Sequence, residues 1–126
     1  MNSYQKIKYY QSEKKSLLCV GLDSDVNKLP DVFERKVSSL LDFNLEIINS
    51  TLEFASSYKI NFAFYEQYGS EGLDVIKKTM EYLKDKSFVI ADAKRGDIGN
   101  TSNAYAKSCF DYFGADAITV AHHMGF

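Results

Sequence analysis

The sequence predicts an α/β fold built on a parallel sheet. Four short apolar runs alternate with three amphipathic helical patterns. The repeat averages about 30 to 35 residues, the size of a strand–helix unit with its loops. The runs read as continuous rather than alternating apolar stretches, as strands covered on both faces do.

A short helix within residues 3–14 opens the chain, with Tyr4, Ile7 and Tyr10 as its inner side. The first strand is "LLCVGLD", residues 17–23. A helix over 34–56 follows, where Val37, Leu40, Leu41, Leu45, Ile48, Leu52 and Ala55 recur at the spacing of one buried face. The second strand is "YKINFAFY", 58–65. The next helix starts near Ser70 as N-cap, with Glu71 and Asp74 early and Lys84 and Lys86 late, an order that suits the helix dipole. Leu73, Ile76, Met80 and Leu83 mark its inner face. "SFVIADAK", 87–94, is the third strand, and a helix from Thr101 to Phe113 stops at Gly114, a C′ glycine. "AITVAHH", 117–123, is the fourth strand. A doubly wound sheet would be nearly complete with these elements and an eight-stranded barrel half finished. Periodicity does not choose between them.

Composition bounds the function. Apolar residues make up 45% of the 126 and charged residues 25%, both ordinary for a globular chain. Lys and Arg number 15 against 17 Asp and Glu, for a net charge of −2. No basic stripe invites nucleic acid, and no run approaches membrane-spanning length. The N-terminus lacks the apolar segment of a secretory signal, so a cytoplasmic protein is expected. Cys19 and Cys109 sit among apolar residues and are expected to be buried free thiols.

In parallel α/β folds, chemistry gathers at the C-terminal ends of strands. Asp23 ends the first strand, Asp92 and Lys94 end the third, and Asp97 follows on the loop. Residues i and i+2 on a strand share a face, so Asp92 and Lys94 project side by side. A surface ion pair would be the ordinary reading of Asp-x-Lys. The preceding "FVIA" argues for partial desolvation, and desolvated charges gather where chemistry uses them. Carboxylates flanking a lysine keep its amine protonated. That disfavours a Schiff base and favours a general acid, or a cation facing a developing anion. Asp92 and Asp97 alone could hold Mg²⁺, but the interposed lysine competes for their charge. At most one of His122 and His123 would face such a site.

"DAKRGDIGNT" carries Asp-x-Lys-x-x-Asp followed by Ile and Thr, and resembles the signature of the orotidine 5′-phosphate decarboxylase family. "LLCVGLDSD", "NFAFYEQYG" and "GADAITV…MG" resemble its larger bacterial subgroup, in the same order, from Leu17 to Gly125. The resemblance implies a TIM-type (β/α)₈ barrel, with residues 1–126 forming the N-terminal half of that single domain, about four βα units. It implies decarboxylation of orotidine 5′-monophosphate to UMP, the last step of de novo pyrimidine synthesis, with neither metal nor organic cofactor. By motif match, Lys94 is the proton donor to C6 of the pyrimidine and Asp92 sits beside the departing carboxylate. Lys59 joins the charged network and contacts the ribose, as does Asp23. Asp97 and Thr101 match residues that act across a homodimer interface.

The match has departures. Ser24 and Ile60 stand where the family commonly has proline, and "TVAHHMG" replaces "TVNPYMG". The family's phosphate grip lies in the second half of its barrel, so the 126-residue chain alone is expected to be inactive. A half barrel would also leave two sheet edges bare. Two other readings compete. One is a Mg²⁺-dependent sugar-phosphate lyase sharing the barrel and the Asp-x-Lys-x-x-Asp motif. The other is a non-catalytic barrel fragment.

Overall fold

A computed structural model describes residues 1–124; Gly125 of the matched "MG" lies outside them. Helix α1 (Ser3–Lys14) is opened by a capping box, in which the Asn2 side chain accepts from the Gln5 amide and the Gln5 side chain accepts from the Asn2 amide. It crosses the N-terminal ends of the strands instead of packing along the sheet. Lys6 pairs with Asp116 at 2.6 Å just before the last strand, and Lys14 donates to the carbonyl of Leu52. This placement buries Tyr10 but leaves Tyr4, expected inside, 70% exposed.

Strand β1 (Cys19–Gly21) is shorter than the apolar run around it. Helix α2 (Ser39–Thr51) occupies the middle of the predicted 34–56, and residues 30–38 form turns. Strand β2 (Ser57–Asn61) stops well before the predicted end at 65. The Asn61 side chain accepts from the Ala63 amide, an Asx turn that breaks the ladder and starts the short helix α3 (Ala63–Glu66). Helix α4 (Gly69–Leu83) buries Val75, Ile76, Thr79, Met80 and Leu83. Ser70 makes no cap, and Leu73 lies on the outer side. Strand β3 (Phe88–Arg95) falls where predicted. Helix α5 (Gly99–Ala106) runs on into a wider π-type turn, Lys107–Tyr112. Gly114 ends it at φ 79, a conformation that costs glycine nothing. Strand β4 (Ala117–Val120) gives way to a 3₁₀ turn, His122–Met124, so neither histidine is on a strand.

The four strands are parallel, in the order β1-β2-β3-β4. A doubly wound sheet reverses its order partway, whereas a barrel adds each strand beside the previous one. The described sheet follows the barrel pattern throughout.

The core lies between the sheet and its helices. Tyr58, Ile60, Val89, Ala91 and Ala93 point into it and are buried, with Leu40, Ile48, Ile76 and Met80 opposite. The intervening residues, Ser57, Lys59 and Asn61 on β2 and Ile90, Asp92 and Lys94 on β3, face the concave side. That side is open among the described residues, so the expectation of strands covered on both faces holds only for the helix-covered face. Cys19 shares the concave side and is exposed, contrary to expectation; Cys109 is buried, and both thiols are free.

Candidate active site

Four charged side chains line up across the C-terminal ends of the first three strands. Lys59 Nζ lies 3.5 Å from Asp23 Oδ1 and 3.1 Å from Asp92 Oδ2. Lys94 Nζ lies 2.7 Å from Asp92 Oδ1. The signs alternate along the row, and Asp92 at its centre is only 8% exposed. Lys94, at the end of the row, has a largely exposed side chain.

Burial pushes the Asp92 carboxyl pKa up, but hydrogen bonds from Lys94, Thr119 and Lys59, with the charge of Lys59, outweigh it and hold it at about 2. Burial likewise works against the Lys59 cation. The hydrogen bond to Asp92 and the charges of Asp23 and Asp92 prevail, and its pKa is raised. Both groups are therefore ionised at neutral pH.

Strand β3 departs from regular geometry where it carries the pair. Ala91 opposes Ile118 and Arg95 opposes Val120, so Asp92, Ala93 and Lys94 bulge opposite Thr119 alone. Lys94 adopts φ 52, a left-handed conformation that costs a non-glycine residue roughly 1–3 kcal/mol. Thr119 takes up the slack: its hydroxyl accepts from the Lys94 amide (3.1 Å) and donates to Asp92 Oδ1 (2.7 Å). Thr119 escaped the sequence reading. The available signal was a polar residue alternating with Ile118 and Val120 in the fourth apolar run.

The loop that carries Asp23 is fixed from beneath. Tyr65 Oη donates to the Leu22 carbonyl at 2.6 Å, and Ser24 Oγ donates to Asn44 Oδ1 at 2.6 Å. Asn44 Nδ2 donates to Tyr65 Oη and Thr79 Oγ1. Burial raises the Tyr65 pKa, so the phenol stays protonated and able to donate. Ser24 thus replaces the proline by tying its loop to a buried polar cluster.

Asp97 and Thr101 stand apart from the row. The Asp97 carboxylate accepts from the Ile98 amide, its own amide donates to Ser102 Oγ, and it makes no ion pair among the described residues. Thr101 lies in the first turn of α5, its amide donating to Asn100 Oδ1. Within one chain, then, Asp92 and not Asp97 partners Lys94. His122 and His123 are exposed, with ring centroids 4.7 Å apart. His122 borders an apolar groove of about 310 Å³ with Tyr105, Ile118 and Val120, on the helix side of the sheet and away from the charged row. No group of three or more His, Cys, Asp or Glu arranged to hold a metal occurs among the described residues. No helix among them is long and apolar enough to cross a membrane.

The arrangement presents an ammonium, backed by a carboxylate, at the C-terminal rim of a barrel-type sheet. Such a group can stabilise an anion as it forms and then protonate it. Comparison with known proteins points the same way. Orotidine 5′-phosphate decarboxylases are 47% identical over 116 residues (Parabacteroides distasonis) and 44% identical over 126 residues (Dehalococcoides mccartyi). The matches cover 90% and 100% of this chain but only 41% and 45% of those relatives, so the chain spans under half their length. A Toxoplasma gondii crystal structure assigned to orotidine-monophosphate decarboxylase superposes with a TM-score of 0.90 at 39% identity, over 98% of this chain and 42% of that one. The Leishmania donovani OMP decarboxylase gives 0.84 at 31%, over 99% and 46%. The four βα units correspond to the N-terminal part of that TIM-type barrel. The model of the orotidine 5′-phosphate decarboxylase / HUMPS family matches residues 16–126, and the chain belongs to that family.

Proposed function

We propose that the full-length protein decarboxylates orotidine 5′-monophosphate to UMP in de novo pyrimidine synthesis, and that residues 1–126 are the N-terminal half of its single barrel domain. The observation that carries this reading is the 2.7 Å contact that holds the Lys94 ammonium on Asp92 at the barrel rim. Loss of CO₂ leaves a carbanion at C6 that the ring delocalises poorly. Lys94 stabilises that charge as it forms and then delivers a proton to the carbon. One ion pair at about 4 Å and an effective dielectric near 20 is worth roughly 4 kcal/mol. Enzymes remove about 8–23 kcal/mol from such barriers. Binding of the remote parts of the nucleotide must therefore supply the rest, by holding the reacting ring against the charges.

Asp92 faces the departing carboxylate. Lys59 holds Asp92 in place and, with Asp23, meets the ribose. Both Asp92 oxygens already accept from Lys94, Thr119 and Lys59, which favours this reading over a Mg²⁺-dependent lyase needing that carboxylate as a ligand. Asp97 and Thr101 serve the site of a second subunit in a cytoplasmic homodimer. Ile98, 64% exposed beside Asp97, offers that interface an apolar contact.

The test is Lys94→Ala in the full-length protein, assayed for UMP formation and for nucleotide binding. Turnover should vanish while binding stays measurable. Retained turnover would remove Lys94 as the proton donor.

A further inference from the structure

We infer that Thr119 is a positioning residue that fixes both members of the Asp92–Lys94 pair through a single hydroxyl. Its consequence for catalysis rests on the decarboxylase reading above. The bulge leaves three residues of β3 opposite Thr119, and the Lys94 amide donates to the threonine hydroxyl. The same hydroxyl donates a hydrogen bond to Asp92 Oδ1, the atom that also accepts from Lys94 Nζ. One side chain thus anchors the left-handed backbone that aims the amine and the carboxylate that orients it. A hydroxyl is required, because the group must accept on one side and donate on the other. Valine has the same shape and can do neither.

The groups facing Asp92 are Lys94 on its own strand, Lys59 on β2 and Thr119 on β4, with Asp23 behind Lys59. Removing the Thr119 donor leaves two cations in place, so the carboxylate stays ionised at neutral pH but loses part of its stabilisation.

The experiment compares Thr119→Val and Thr119→Ser with the unsubstituted full-length protein by two readouts. Carbon-13 NMR titration of the Asp92 carboxyl should show protonation at a proton concentration roughly tenfold lower in Thr119→Val, and restoration in Thr119→Ser. Steady-state decarboxylation should show kcat lowered by roughly ten- to a hundredfold in Thr119→Val, with KM changed far less and Thr119→Ser near normal. Valine is a strong strand former, so β4 should persist. An Asp92 titration identical in all three proteins would overturn the inference, as would a loss confined to KM. If the unsubstituted protein forms no UMP, the decarboxylase reading fails, and the NMR titration still decides the role of Thr119.

Discussion

The ammonium of Lys94 lies 2.7 Å from Oδ1 of Asp92, two residues back on the same strand. The contact is made from a backbone turned left-handed, at φ 52. A regular strand would also place i and i+2 on one face. The bulge bends the strand end and re-aims the amine toward the open side of the sheet. Local backbone strain, a buried anion and an exposed cation coincide at one point, as is common where a fold gives up stability for chemistry.

Asp92→Asn keeps the shape of the side chain and removes the charge between two ammonium groups. Lys59 and Lys94 then repel each other, and the amide can accept from only one side. With one pair worth about 4 kcal/mol, kcat should fall by roughly 10³-fold. Single-turnover UMP formation in the full-length protein measures it. A variant within tenfold of the unsubstituted rate would show that this charge does little.

Acid should destabilise the protein through the same carboxyl. Its folded pKa, about 2, lies below the ordinary 3.8, so its contribution is complete above pH 4 and disappears as pH falls through 2. The shift is worth about 2 kcal/mol. Urea unfolding between pH 5 and 2 should show the decline, and Asp92→Asn should lack that part of it. Lys59 acts in the opposite sense: its raised pKa contributes stability that is lost only as pH rises past the ordinary lysine range.

The cluster beneath Asp23 predicts a cost for Asn44→Leu. That change takes the shared partner from Ser24 and Thr79, both buried, and leaves Tyr65 only the Leu22 carbonyl. Each unsatisfied group costs about 1–3 kcal/mol, so the loss should exceed that of Tyr65→Phe, which removes one hydroxyl. Equal losses in chemical denaturation would refute a cluster centred on Asn44.

Gly96→Ala should disturb the site without touching a charge. A Cβ at Gly96 would stand 2.1 Å from the Ala121 carbonyl oxygen, part of a backbone that already donates to Arg95 at 3.1 Å. The ends of β3 and β4 would have to separate, at about 1–3 kcal/mol, and Thr119 would be drawn off the bulge. Thermal unfolding and kcat should fall together; an unchanged pair of values would mean that the strand ends move freely.

Much of this was legible in the sequence because charge stands out after an apolar run. Asp23, Asp92 and Lys94 declared themselves by ending strands. Lys59 did not, since it sits inside "YKINFAFY", and its place in the row came from resemblance alone. The same run extends past the strand because the Asx turn at Asn61 lies among apolar neighbours. Thr119 is a weak signal for a physical reason: threonine is an ordinary strand former, and only the bulge on the neighbouring strand gives its hydroxyl two tasks. Asp97 lies close to Lys94 in sequence, yet its carboxylate accepts from the amide of the following residue, Ile98.

The row from Asp23 to Lys94 sums to zero. Neighbouring opposite charges cancel at long range, so its potential dies away faster than that of any single ion, and the Debye length of about 8 Å at physiological salt shortens it further. These four groups therefore govern what happens on contact and add little to the diffusional capture of an approaching anion. Attraction at a distance, and any dependence of association rate on ionic strength, must originate from charges elsewhere in the protein.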